Sequence, residues 1–481
     1  MSVIRELKRS GVIRSQVSLV AMLGCLTIAA AALAIDEDDL QSAKSKLAKA
    51  QSLRGTHLPS GQIKISGVRP DHQLQTFCLN KDGLIFGVVA PPRPYAAQLK
   101  GDNNSAEIRV HDADGKELRK WNVDFAVQSI AAAPNGSILV AGNGMIAKFS
   151  AEGSLLKSAE LPHIAQLLKD SAKLKEEAKA QLEEDQEQYD EYLKPFRQQT
   201  TQVNEQLQQQ QKQLEELTAR LEKMPEKEWT TADKSKLLAI KTSVRNLESQ
   251  IARNLQNQKN DPQLQNYKQR SERSVDEVVA AMTRRLRIVN AIAVSDQDVF
   301  IASGVLKGFG YSIWRTGQDF KGAEQIVTGL SGCCGQMDIR CCEDRVFVAE
   351  NSRKRVLQYD RDGKKLSQWG EGDRDGSAGA NFGGCCNPMN LCFSTAGEVL
   401  TAESEGVVKR FTKEGSYLGI VGIANLTGGC KNVAIGLSPN GEKAYFYDRE
   451  GSRIVILSRK TADSKPKTAA AAKKSRTAVS D

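Results

Sequence analysis

Hydrophobic and polar positions alternate over short distances through most of the chain, and this alternation changes period once. Between residues 332 and 404 two successive units share one layout. The first runs Gly-Cys-Cys-Gly-Gln-Met (332–337), Val-Phe-Val-Ala-Glu (346–350) and Arg-Val-Leu-Gln-Tyr-Asp-Arg-Asp-Gly (355–363). The second runs Gly-Cys-Cys-Asn-Pro-Met (384–389), Val-Leu-Thr-Ala-Glu (399–403) and Val-Lys-Arg-Phe-Thr-Lys-Glu-Gly (408–415). β-Branched and aromatic runs separated by Asp/Gly turns predict a meander of strands. A single meander cannot bury both of its faces, so units that repeat at about fifty residues survive by packing on their neighbours.

Similar runs occur over 77–89, 108–115, 130–153, 292–302 and 433–457. The turn of the first hairpin occurs six times, near Gly83, Gly136, Asp298, Asp344, Gly397 and Gly441. With the helical stretch removed, its period is about 42–53 residues, which predicts a six-bladed β-propeller. The last unit stops after three strands, so an early segment, residues 62–66, is expected to supply the missing outer strand.

Residues 163–285 break the pattern, being rich in Gln, Glu, Lys and Leu with almost no Gly. Val203, Leu207, Leu214, Leu217 and Leu221 share a heptad frame that Gln210 interrupts, and Leu237, Ile240, Val244, Leu247 and Ile251 repeat at 3–4 spacing. Met224-Pro225 should end the first segment, Thr230 with Asp233 should cap the second, and Pro195 should end or kink the first arm. Together these predict an inserted α-helical antiparallel coiled-coil hairpin, either a solvated spacer or an arm for assembly. The fold expected is therefore an all-β six-bladed propeller with that insertion. Residues 35–61 form a polar helix and linker, 62–162 blades 1–2, 163–287 the coiled coil, and 288–460 blades 3–6.

Net charge at first suggests a nucleic-acid binder, since the 481-residue chain carries +9. Its location removes that reading: residues 1–16 hold +3 and residues 459–481 hold +5, leaving the body almost neutral. Nucleic acid is thus a disfavoured partner. The basic start, the apolar run over 17–34 and Ala32-Leu33-Ala34 predict a secretory signal over residues 1–34, or an uncleaved membrane anchor. Both place the body outside the cytoplasm, secreted, periplasmic or tethered. Residues 461–481, rich in Lys, Ala and Ser, are expected to be a disordered basic tail.

Eight of the ten cysteines fall between Cys333 and Cys430. Cys333, Cys334, Cys385, Cys386 and Cys430 lie in links between blades, just before an inner strand, where a propeller would gather them on the mouth of its channel. No histidine accompanies them. Three chemistries fit: disulfides, a redox-active dithiol, or a soft-metal site for Cu or Zn with Cys334, Cys386 and Cys430 as ligands. Adjacent cysteines would form strained bridges, whereas bridges between blades are easier. Cys78, Cys341, Cys342 and Cys392 fall in or beside inner strands and are expected to be small buried residues. Glu350, Glu403 and Asp448 close the second strands; they are candidate rim ligands for Ca²⁺ or ordinary turn acids.

Asn-Phe-Gly-Gly (381–384), Asn-Pro (387–388), Gly-Glu-Val-Leu-Thr-Ala-Glu (397–403) and Val-Lys-Arg-Phe (408–411) are similar to NHL-repeat propellers, and residues 346–363 resemble the same repeat. The resemblance is good over 330–421 and weaker over 67–160 and 288–325. NHL propellers include RNA binders, protein scaffolds and a few metal-dependent lyases, so it implies fold more than function. No Ser/His/Asp or Cys/His arrangement and no Gly-rich phosphate loop occurs. The expected function is accordingly an extracytoplasmic scaffold that binds a ligand or protein at a cysteine-rich mouth, with the coiled coil for self-association or docking. The alternatives are a metal-dependent lyase or lactonase-like hydrolase, or a thiol redox or soft-metal-binding protein.

Overall fold

The computed structural model describes residues 55–65, 72–92, 105–333, 336–372, 379–424, 426 and 433–460. The expectations for residues 1–34, for the tail over 461–481, and for Cys334 and Cys430 lie outside these residues. Among the described residues, twenty-four strands form six four-stranded antiparallel sheets. Blade 1 holds β2 (Gln73–Leu79), β3 (Ile85–Ala90), β4 (Ala106–His111) and β5 (Glu117–Val123). Blade 2 holds β6 (Ser129–Ala132), β7 (Ile138–Gly142), β8 (Met145–Phe149) and β9 (Leu155–Glu160). Blade 3 holds β10 (Val289–Val294), β11 (Asp298–Gly304), β12 (Tyr311–Gly317) and β13 (Ala323–Leu330). Blade 4 holds β14 (Asp338–Cys342), β15 (Arg345–Glu350), β16 (Arg355–Asp360) and β17 (Lys365–Trp369). Blade 5 holds β18 (Asn390–Phe393), β19 (Val399–Ala402), β20 (Val407–Phe411) and β21 (Tyr417–Ile423).

Blade 6 is composite: β22 (Ile435–Leu437), β23 (Lys443–Asp448) and β24 (Arg453–Arg459) are completed by β1 (His57–Lys64). The closing strand begins at His57, so residues 57–61 belong to the sheet and not to the linker that composition suggested. Antiparallel pairing runs from His57 opposite Arg459 to Lys64 opposite Arg453, with an irregularity between Pro59 and Gly61. Proline removes a ladder donor, and an outer edge strand is the place in a sheet that accepts it. The first strands contact one another in the order β2, β6, β10, β14, β18, β22 and back to β2. That closed cycle of meanders is a β-propeller.

The core lies between blades. Phe86, Val88 and Ile108 of blade 1 share a cluster with Ile130, Ile138 and Val140 of blade 2. Phe347 and Val356 of blade 4 pack with Leu391 and Phe411 of blade 5, and Tyr445 and Ile454 of blade 6 with Phe77 and Ile85 of blade 1. The inner β10 is buried along its whole length and the inner β14 and β18 are buried or half-buried at every position, while the outer β5 and β9 alternate mainly exposed and half-buried positions.

The glycines of the outer turns also lock successive blades. Trp121 on β5 packs against Phe86 and Phe149, and Trp369 on β17 against Phe347 and Phe411. Over each indole sits the glycine of the next blade's outer turn, Gly153 with φ +99° and Gly415 with φ +96°. A Cβ there would lie 2.6 Å from Trp121 or 2.5 Å from Trp369. Gly115 on Ile63 and Gly363 on Ile326 repeat the seating.

Between β9 and β10 the chain enters a second compact unit, residues 168–282. Preceded by α1 (Pro162–Leu168), it is built from α2 (Ser171–Leu221), α3 (Thr231–Asn260), α4 (Pro262–Ser271) and the start of α5 (Val275–Leu286). Leu217 and Leu221 pack on Ile240, flanked by Leu214, Leu237 and Val244. Tyr192 meets Asp261, and Arg273 and Arg270 both pair with the fully buried Asp185. These contacts join the end of α2 to the start of α3 and the beginning of α2 to the region after α3, so the helices run antiparallel. Thr230 and Asp233 form a capping box at the start of α3. Helix α2 continues through Pro195. The helix does not end there: one lost hydrogen bond and a ring clash cost about 3 kcal/mol, a local penalty that packing along a 51-residue helix offsets.

Replacing Gly415 by Ala forces a strained backbone and a clash with Trp369 together. Stability measured by urea unfolding should fall by about 2–4 kcal/mol, whereas Gly136→Ala, which meets no neighbouring atom, should pay only the backbone part.

Candidate functional site

Each link between blades 3 and 4, and between 4 and 5, carries a Gly-Cys-Cys sequence, and buried side chains fix both links. Glu350 ends β15 and Glu403 follows β19, where a strand leaves the sheet. Both are 0 % exposed. Glu350 accepts the backbone N–H of Ser331 at 2.9 Å and pairs with Arg355 and Arg353. Glu403 accepts the N–H of Gly383 at 3.3 Å and pairs with Lys409 at 2.7 Å. Two asparagines complete the support. Asn351 Oδ1 accepts the N–H of Cys333 at 2.7 Å; Asn387 accepts from Ser404 at 2.8 Å and donates to Gly383 O at 2.7 Å.

The links so held bring three thiols together. The sulfurs of Cys333, Cys385 and Cys386 lie within 4.8 Å of one another. Cys386 is buried, packed with Met389 and Val433, Cys333 is half-buried, and Cys385 is exposed. Cys333 and Cys386 approach to 2.8 Å, longer than a disulfide bond of about 2.05 Å. Of the expected metal ligands Cys334, Cys386 and Cys430, only Cys386 is among the described residues, and it is joined by Cys333 and Cys385.

The acidic rim candidates are placed elsewhere. Glu350, Glu403 and Asp448 belong to three different blades, and none is part of the thiol cluster. Asp448 is 2 % exposed and pairs with Arg453 at 2.8 Å. Each acid therefore meets a cation from the start of the third strand of its own blade, an arrangement that holds a loop in place and leaves little room for a hard cation. Cys78 and Cys392, on inner strands, have thiols that burial pushes up to about 12, and burial pushes Cys341 higher still. Thiols so hard to ionise are poor nucleophiles and poor ligands.

Sequence reasoning missed Lys409 and Asn387. Lys409 is 0 % exposed, its ammonium lies 5.5 Å from the Phe382 ring, and it donates to Asn381 O. A signal existed: aligning Glu350 with Glu403 puts Lys409 at the position of the buried Val356, where the alternation calls for an apolar residue. Asn387, inside the Asn-Pro of the repeat, gave no comparable signal because Asn-Pro reads as an ordinary turn.

No family model matches the chain, and no curated protein matches it. Among solved structures it is similar to a gluconolactonase from Xanthomonas campestris, with 9 % identity and a TM-score of 0.37 over 85 % of this chain and 98 % of that one. It is also similar to the WD40 domain of Pan2 from Neurospora crassa, with 7 % identity and a TM-score of 0.36 over 85 % and 97 % of the two chains. At such values the propeller assignment rests on the strand order and the closed cycle of inner strands.

Burial outweighs the Lys409 ammonium and pushes the Glu403 carboxyl up from 4.5 to about 7. An acid whose folded pKa exceeds its unfolded value takes up a proton on folding. Its favourable contribution is full below pH 4.5 and is lost as pH rises through about 7. His57, His111 and His163, whose pKa values burial lowers, have the opposite slope in both proteins of a comparison. Relative to wild type, Glu403→Gln should therefore gain stability steadily between pH 5 and 7, read from denaturant midpoints; a pH-independent difference would show that Glu403 stays ionised.

Proposed function

We propose that the chain is an extracytoplasmic, NHL-like propeller scaffold that binds a ligand or a protein partner at the end of the ring carrying the Gly-Cys-Cys links. The inserted helices act as a coiled-coil arm for self-association. The observation that carries this reading is the contrast between two sets of side chains. Thiols from adjacent links gather at a place reached by the exposed Cys385, while the carboxylates that a hydrolase would need are sealed in ion pairs. Reactive groups that meet solvent favour recognition; acids that meet only their own blade favour structure. On α3 two apolar side chains face solvent, Leu238 at 68 % and Leu255 at 50 % exposure.

Light scattering coupled to size exclusion tests the arm. The full chain should run as an oligomer, and Leu238→Glu with Leu255→Glu should shift it towards monomer; a wild-type chain that is monomeric at every concentration would overturn the assembly role. Hydrolysis of a panel of lactones tests the mouth. No turnover is expected, and turnover that disappears in a folded Glu403→Ala variant would replace the scaffold reading by the hydrolase.

A further inference from the structure

We infer that Cys333, Cys385 and Cys386 form a binding site for monovalent copper. This deepens the reading of the cysteine-bearing end as the ligand-binding surface by naming the ligand. Three sulfurs whose separations do not exceed 4.8 Å have a common point no more than about 2.8 Å from each. Thiolate–metal bonds of about 2.3 Å, the value for zinc, put the sulfurs of a trigonal site about 4.0 Å apart, so Cys333 and Cys386, 2.8 Å apart, separate on binding while Cys385 keeps its place in the triangle.

The donor set selects the metal. Among the described residues the cluster holds sulfur alone, without histidine or carboxylate, and thiolates favour soft cations such as Cu(I) over oxygen-seeking ones. Structural zinc sites take four ligands, whereas three are gathered among the described residues. The links that carry the ligands are also held in place before any metal arrives. The links are held by Glu350, Asn351, Glu403 and Asn387 through hydrogen bonds that do not involve sulfur. Such outer support commonly determines metal affinity by a factor of about 10–100. The burial gradient gives the ion a route: Cys386 lies in the core between blades 5 and 6, Cys333 is half-covered, and Cys385 faces solvent. Binding exchanges thiol protons for the cation, Cu⁺ replacing up to three H⁺ that leave to solvent, with no change of oxidation state.

The test uses the full chain, reduced and kept anaerobic, titrated against the coloured Cu(I)–bicinchoninate complex. One equivalent of Cu(I) per chain should be withdrawn from the chelator, and X-ray absorption should show a shell of sulfur only. Cys385→Ser, which alters an exposed side chain and should leave folding intact, should weaken retention more than about tenfold; Cys78→Ser, on an inner strand, should not. Failure to withdraw copper, retention unchanged in Cys385→Ser, or a preference for Zn(II) in the same competition would overturn the assignment. So would peptide mapping that finds Cys333 and Cys386 joined by a disulfide that persists under the reducing conditions. A protein that takes no copper but whose Cys385→Ser variant loses a protein partner would keep the scaffold reading and reject this one.

Discussion

Each four-stranded blade has two apolar faces, and neither a turn nor a loop can cover them. Only another blade can. That requirement explains why the clusters of buried residues lie between sheets and not within them, and why the first strands meet in a closed cycle. It also explains the composite sixth blade. With β24 as its outermost strand, blade 6 would be one strand short and its faces incomplete. β1 supplies that outer strand, joining the beginning of the described chain to its end through pairing from His57 to Lys64.

Within this ring, the ends of the second strands do a separate job. A carboxylate buried at such a place has to be paired, and a cation from the start of the third strand does so in blades 4, 5 and 6. In blades 4 and 5 the same carboxylate also accepts a backbone N–H from the Gly-Cys-Cys link. The position of the thiols thus follows from groups that never touch them. In blade 5 burial prevails over the paired charge and pushes the Glu403 carboxyl up to about 7.

Much of the ring was legible in the residues. The six hairpin turns, the three-stranded last unit and the change of period at the helical insertion all reflect local patterns, alternation and turn chemistry, that need no partner to be recognised. The capping box at Thr230 and Asp233 belongs to the same class. Pro195 does not end α2, since its local penalty is visible in sequence whereas the packing that offsets it is not. Likewise β1 was placed a few residues late: Pro59 and Gly61 read as linker until the edge position that tolerates them is known.

For the site the division is sharper. That cysteines cluster in links before inner strands follows from the repeat alone, as does the absence of histidine among them. Which thiols meet does not, because Cys333 and Cys386 are 53 residues apart and only the packing of blade upon blade sets their separation. Glu350, Glu403 and Asp448 show the same limit in reverse. Sequence identified them as acids at strand ends, and solvent exposure, a property of the assembled ring, determined that they hold loops in place and do not line an open mouth. The sequence by itself determined the repeat, the insertion and the chemical inventory, since these depend on neighbours along the chain. The tertiary structure decided which groups converge and which are buried, since those depend on neighbours that only the closed ring supplies.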